Sequence, residues 1–359
     1  MNNAVVSEQP LPKTIDDISL EWLEHALSNL QPALRLASFK IEQVIQGTGT
    51  KILLSIKTEG TANQTQLPNR LCLKGGYSAN SDDLKREGRY INEAVFYGAV
   101  ASQIDIRTPK SYFAAYDDAG QSIVIMEDLN AKGVHFCIPT VTEDAQFAAD
   151  GLSQLAAMHG RWWGNEFLDS ISTLNLPLPG GGHEARQREP QRWAENMRRP
   201  RGIGLPRFAR DLDRMGTALD RLRPIHRNQP HCLLHGDPHL GNLYSDRENK
   251  CGFYDWQSIR RGCWAHDVNY FMVSCLDPED RRAHEKDLLS DYLRVLEGTG
   301  APSLSFKHAW DLYRMNSVYG LFFWTTNPVE MQAEEFNLAT ASRFAIAAMD
   351  HETLGLLNA

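Results

Sequence analysis

Two short apolar runs in the second half of the chain each end abruptly on polar residues. Cys232-Leu233-Leu234 leads into His235-Gly236-Asp237-Pro238-His239-Leu240-Gly241-Asn242, and Cys251-Gly252-Phe253-Tyr254 leads into Asp255-Trp256-Gln257. Runs of this length bounded by turn residues read as buried strands, so both polar clusters are expected at strand ends. In the first half, Phe39-Lys40-Ile41-Glu42-Gln43-Val44-Ile45 alternates as a strand, Gly47-Thr48-Gly49-Thr50 forms a glycine turn, and Ile52-Leu53-Leu54-Ser55-Ile56 returns. Arg70-Leu71-Cys72-Leu73-Lys74 predicts a further strand with Lys74 at its end. Residues 89–97 carry apolar positions at three- and four-residue steps, a helix that includes Glu93. Ile123-Val124-Ile125-Met126-Glu127-Asp128-Leu129 predicts a strand followed by a hinge.

A short amphipathic helix with a polar start is expected from Thr14-Ile15-Asp16-Asp17-Ile18 through Leu20, Trp22, Leu23, Ala26 and Leu27, and a second over residues 145–163 with Leu152, Leu155, Ala156 and His159 on one stripe. Between Leu174 and Pro206 the pattern gives way to Pro, Gly and arginines, among them Arg186, Arg188, Arg192, Arg198, Arg199 and Arg201. They mark an inserted segment that could cover an acceptor site, and they are expected to form a solvated face, with an anionic acceptor as the alternative they would bind. Trp310, Tyr313, Met315, Tyr319, Phe322, Phe323 and Trp324 recur at helical spacing near the end, mostly as core.

At 359 residues the chain exceeds what one compact core usually supports, so two lobes sharing a cleft are expected. A net charge of −8 argues against general nucleic-acid binding. No apolar run approaches the ~20 residues that span a bilayer, and the polar N-terminus has no signal-peptide core, so no membrane partner and a cytoplasmic location are expected. Six scattered cysteines with no C-x-x-C pair read as reduced thiols.

The polar clusters suit phosphoryl transfer. Asp237 precedes Asn242 by the D-x-x-x-x-N interval of phosphotransferase loops, where the aspartate accepts the proton of an attacking hydroxyl. Asn242 and Asp255 are candidate oxygen ligands for magnesium. Lys74 is placed to pair with nucleotide phosphates, with Glu93 as its carboxylate partner and Glu87 as the competitor. Backbone amides of Gly47, Thr48, Gly49 and Thr50 can approach phosphates, and Glu127 and Leu129 flank the hinge that would receive adenine. The plainer reading of the loop is a capped turn, since Asp, Asn and Gly are ordinary turn residues. His239 stays outside the catalytic set, and His159 reads as a core or supporting histidine.

The pattern His235-Gly236-Asp237-x-His239-x-x-Asn242 with Asp255 resembles the catalytic loop of the aminoglycoside phosphotransferase and choline kinase superfamily. Asp255-Trp256-Gln257, Gly262 and Ala265-His266-Asp267-Val268-Asn269-Tyr270-Phe271 are similar to the ecdysteroid-kinase-like, or CHK-kinase-like, branch. The resemblance implies an α+β, two-lobed protein-kinase-like fold. A small β-rich nucleotide-binding lobe would span residues 1–128, and a larger helical lobe residues 129–359, with the insertion near 174–206. It further implies ATP and magnesium as cofactors and a small molecule as hydroxyl acceptor. Asp267 would accept amide bonds from the catalytic loop rather than act as base. H-G-D in place of H-R-D, D-W-Q in place of D-F-G and the lack of A-P-E argue against a protein substrate.

Three classes of function follow: a kinase for a largely apolar hydroxyl compound, an aminoglycoside, macrolide or choline/ethanolamine-type kinase, and a catalytically silent nucleotide-binding protein. An antibiotic kinase would call for an acidic acceptor pocket, which residues 152–208 do not offer, and the intact Lys74, Asp237, Asn242 and Asp255 speak against silence. The sequence sets neither the acceptor nor the oligomeric state.

Overall fold

The computed structural model describes residues 5–7, 10–28, 34–47, 49–59, 67–77, 89–166, 168, 174 and 182–359. The chain forms two compact units, one comprising Met1–Val134 and Tyr254–Ser258, the other His135–Phe253 and Ile259–Ala359.

The first unit is built on a six-stranded sheet. In chain order its strands are β1 (Val5–Val6), β2 (Leu36–Ile45), β3 (Thr50–Thr58), β4 (Arg70–Gly75), β5 (Ser111–Tyr116) and β6 (Ser122–Glu127). Their order across the sheet is β1-β5-β6-β4-β3-β2, antiparallel throughout except for the parallel β1–β5 pair. The alternation expected over residues 39–45 belongs to β2, an edge strand that leaves most of its residues exposed. β6 buries all six of its residues, as its unbroken apolar run requires. Ser19 caps the helix Leu20–Leu27 by accepting from Trp22 N at 3.1 Å. Leu23 and Leu27 of that helix join Ile52, Leu54, Leu71, Leu73, Ile123 and Ile125 in one core.

The helix Arg89–Val95 runs on into a π-helical turn, Phe96–Val100. The Phe96 ring stacks on Trp256 with centroids 3.7 Å apart, and the Trp256 indole N–H donates to Thr108 Oγ1 at 2.9 Å. These contacts hold the segment Tyr254–Ser258 in the first unit, where Trp256 is fully buried.

The second unit is mainly helical and has two small sheets. β7 (His135–Phe136), β9 (Leu243–Ser245) and β10 (Cys251–Phe253) form one, while β8 (Cys232–Leu234) and β11 (Arg260–Gly262) form the other. Every residue of the helix Ala265–Cys275 is buried, so it runs through the middle of the unit. Around it lie Ala145–Arg161, Leu212–Arg227, Pro278–Gly298, Phe306–Met315, Ser317–Thr326 and Glu334–Asp350. Of the expected insertion, residues 175–181 lie outside the described residues. The remainder forms three short helices, Gly182–Gln187, Pro190–Met197 and Pro200–Ile203.

One expectation about this region changes. Arg201 is not a solvated charge but is 1 % exposed, donating to Trp324 O at 3.2 Å. Trp193 packs into the core against Phe322 and donates to Arg210 O.

The six cysteines are free thiols, five of them buried. Burial raises the Cys72 and Cys263 thiols to about 12, and it raises Cys137, Cys232 and Cys275 as well. Among the described residues, no helix is long and apolar enough to cross a membrane.

Candidate active site

In the first unit the antiparallel ladder carries Lys74 into the protein interior as the penultimate residue of β4, with its side chain 4 % exposed. Its ammonium lies 2.8 Å from Glu93 Oε2 and 2.8 Å from Asp255 Oδ1. Burial alone would depress this lysine, but the Asp255 and Glu93 carboxylates outweigh it and hold the pKa above its ordinary value. Lys74 therefore stays cationic. The expected pairing of Lys74 with Glu93 is present, while Glu87 lies outside the described residues.

Asp255 adopts the left-handed region at φ 64°, which few non-glycine residues occupy and which marks a locally constrained backbone. The glycine turn after β2 comes close to the same group. A side chain at Gly49 would meet Gln257 Nε2 at 2.5 Å and Lys74 Cε at 2.8 Å, so any larger residue there would have to displace these two side chains. Thr50 is fully buried at the start of β3, Gly47 precedes the turn, and Thr48 lies outside the described residues. At the expected hinge, Glu127 ends β6 with its carboxylate paired to Lys132. Asp128 caps the helix Leu129–Lys132 and pairs with Arg70 at 2.9 Å. Leu129 is buried, and the Glu127 N–H is already engaged by Lys110 O.

In the second unit β8 delivers the loop that starts at His235. Asp267, fully buried on the central helix, accepts from His235 N at 2.6 Å and Gly236 N at 3.0 Å. Gly236 sits at φ 82°, which turns these two amides toward one carboxylate. The His159 side chain meets Asp267 at 3.3 Å through Nε2, so Nδ1 accepts from Tyr292 OH at 2.8 Å. Burial would raise Asp267, but the His159 hydrogen bond and the neighbouring histidines hold its pKa below the ordinary value. His266 donates from Nε2 to Gly236 O at 3.1 Å, and burial brings its pKa down to about 4.

The loop is thus gripped by both its amides and a carbonyl. Asn242 donates to Asp237 O at 2.9 Å and Asp237 Oδ2 at 3.2 Å. Spending its NH2 group this way leaves the amide oxygen of Asn242 for a hard cation. The Asp237 side chain keeps 28 % of its surface exposed, against none for Asp267. Of the two, Asp237 is the carboxylate that can exchange protons with a ligand. Aromatic rings surround it: His239 stands 4.8 Å from Trp324, and Tyr270, Tyr319 and Phe323 continue the cluster. Sequence reasoning left Tyr270 without a role, and it did not anticipate the contact between Lys74 and Asp255. The only signal for the first was its place in the run of residues 265–271.

The model of the APH family, described as a phosphotransferase enzyme family, matches residues 108–300, more than half of the chain. The chain belongs to the phosphotransferase enzyme family. It is accordingly a small-molecule phosphotransferase, and its α+β architecture is kinase-like. Among solved structures, this phosphotransferase is similar to an ethanolamine kinase from Plasmodium vivax at 12 % identity and TM-score 0.51, covering 88 % of this chain and 82 % of that one. A choline kinase from Streptococcus pneumoniae matches at 13 % identity and TM-score 0.47, covering 92 % and 98 % respectively. A macrolide 2'-phosphotransferase from Brachybacterium faecium matches at 14 % identity and TM-score 0.44, covering 89 % and 97 %. No curated protein matches the chain in sequence.

Proposed function

We propose that this phosphotransferase moves the γ-phosphate of ATP to a hydroxyl of a small, largely apolar molecule, and that it belongs to the ecdysteroid-kinase-like branch of its family. The observation that carries this reading is the partly exposed Asp237 carboxylate, fixed by Asn242 and set among aromatic side chains. Asp237 accepts the acceptor's proton as the oxygen attacks phosphorus. Lys74, oriented by Glu93, neutralises phosphate charge, and main-chain amides of Gly47, Thr48, Gly49 and Thr50 approach the phosphates. The chain around Glu127 and Leu129 receives the base. Asn242 and Asp255 supply oxygen ligands to magnesium, which when bound neutralises charge on the transferred group. We assign the nucleotide-binding role to a lobe over residues 1–128 and the acceptor-binding role to residues 129–359.

The branch assignment rests on Asp255-Trp256-Gln257 and on residues 265–271. Flat aromatic walls contribute binding by area, at roughly 25 cal/mol per Å², and leave orientation to a few polar groups. The same faces attract quaternary ammonium groups, so an amino alcohol is the competing acceptor.

A phosphorylation screen with magnesium ATP and mass detection tests the reading across hydrophobic alcohols, steroids, amino alcohols, sugars and antibiotics. Hydrophobic alcohols should give the highest kcat/KM. Higher efficiency with amino sugars would move an antibiotic acceptor ahead, and no ATP turnover with any acceptor would support a silent nucleotide binder. With the preferred acceptor, Asp237→Asn should lose about 10²- to 10⁴-fold in kcat while retaining ATP binding. Near-wild-type turnover in that variant would remove Asp237 from the base role.

A further inference from the structure

Two buried donors near Asp237 have no partner at hydrogen-bond distance: the Tyr270 hydroxyl and the Trp324 indole Nε1, each on a side chain 1 % exposed. Buried polar atoms rarely stay unpaired, and those that do mark strain or function. The two rings lie 6.5 Å apart at 20°, and His239 stands against both, 6.3 Å from Tyr270 and 4.8 Å from Trp324. The acidity of the phenol reports what surrounds it. Burial, then the negative charge of Asp237, push it well above its ordinary value, while the Trp324 N–H pulls it back.

The direction of the contacts follows from chemistry. An indole N–H only donates, so the phenol oxygen facing it must accept, and the phenol O–H is left to donate onward. The acceptor available to it is the Asp237 carboxylate, which lies 3.7 Å from the Nε2 of the His239 ring that stands against Tyr270. His239 is polarised in the same sense: Gly241 N–H donates to Nδ1 at 3.0 Å, which puts the imidazole proton on Nε2, 3.7 Å from Asp237 Oδ2.

We propose that Tyr270, oriented by Trp324, is a positioning residue for Asp237: Trp324 N–H donates to the phenol, and the phenol donates to the carboxylate. Together with Asn242 and His239 it restricts the carboxylate to one rotamer and directs its remaining lone pairs to the acceptor hydroxyl. Tyr270 transfers no proton. Both hydrogen bonds would form as reactants bind, since catalytic contacts often tighten only in the complex. The inference rests on the reading of Asp237 as base.

Magnesium-ATP hydrolysis, with water as the nucleophile, provides the kinetic probe, and 19F NMR of fluorotyrosine-labelled protein provides one independent of turnover. Tyr270→Phe keeps the ring in its cluster and should lower kcat about 10-fold or more, with the KM for ATP and the melting temperature unchanged. Trp324→Phe should lose less, and the double variant should be no slower than Tyr270→Phe. In the NMR arm the Tyr270 resonance, assigned by its loss in Tyr270→Phe, should shift in Asp237→Asn.

An unmoved resonance overturns the inference, as does wild-type kcat in Tyr270→Phe when Asp237→Asn is inactive. Full hydrolysis by Asp237→Asn would instead refute the base reading, so the two failures are distinct. If hydrolysis is too slow to follow, the resonance alone decides.

Discussion

Asp267→Asn tests the idea that one buried carboxylate fixes the catalytic loop. Asp267 Oδ2 takes the His235 amide at 2.6 Å and His159 at 3.3 Å, and Oδ1 takes the Gly236 amide at 3.0 Å. Asparagine keeps one oxygen and turns an NH2 group toward donors, so at least one buried main-chain N–H is left without an acceptor. That costs about 1–3 kcal/mol, and weakening the surviving charge-assisted bond to a neutral one costs about 1 kcal/mol more. A loss of roughly 2–4 kcal/mol is expected in urea unfolding at pH 7. The folded pKa of Asp267 lies below its ordinary value of 3.8, so its stabilisation is present above that pH and disappears as pH falls through the folded pKa. The gap between wild type and variant should therefore narrow below about pH 4. A gap under about 0.5 kcal/mol at pH 7, or one that does not change in acid, would refute the reasoning.

Lys74→Ala strands the buried Glu93 carboxylate, at about 3–5 kcal/mol, whereas in Glu93→Ala the lysine keeps Asp255 and the loss should be smaller; both should reduce transfer. The double variant should lose less than the product of the two, and strict additivity in the kinetics would sink the pairing. Asp255→Ala should raise the magnesium concentration needed for half-maximal activity, and an unchanged magnesium titration would count against Asp255 as ligand. Burial brings His226 down to about 3 and His266 to about 4, so both stay neutral when the unfolded chain takes up protons near pH 6.5. Stability should thus fall with pH, by about 2 kcal/mol per histidine between pH 6.5 and 5, and His226→Leu should flatten the profile measured by urea unfolding. An equally steep profile in that variant would contradict the assignment.

The loop at residues 235–242 was legible because its determinants are local: turn-forming residues follow a short apolar run, and their spacing matches the chemistry. The long helix was equally plain, though expected to residue 163 and ending at Arg161. Contacts between distant residues were not legible. Lys74 meets Asp255 across 181 positions, and no local pattern encodes that meeting. The π-helical turn at Phe96–Val100 hides inside a helical periodicity, since its departure is tied to the stack of Phe96 on Trp256. Arg201 reads as one of a run of charges, yet tertiary packing removes it from water. Tyr270 lies in the core, and only its neighbours give its hydroxyl a task.

The six thiols turn the protein into its own unfolding gauge. Alkylation needs a thiolate, and a thiol held near 12 is ionised to roughly one part in 10⁵ at pH 7, so native-state reaction proceeds through opening. Cys72 lies in β4 of the first unit, and the other five cysteines lie in the second. Mass-resolved alkylation at graded urea would therefore time the opening of each unit separately, from one unmodified chain and without an engineered label.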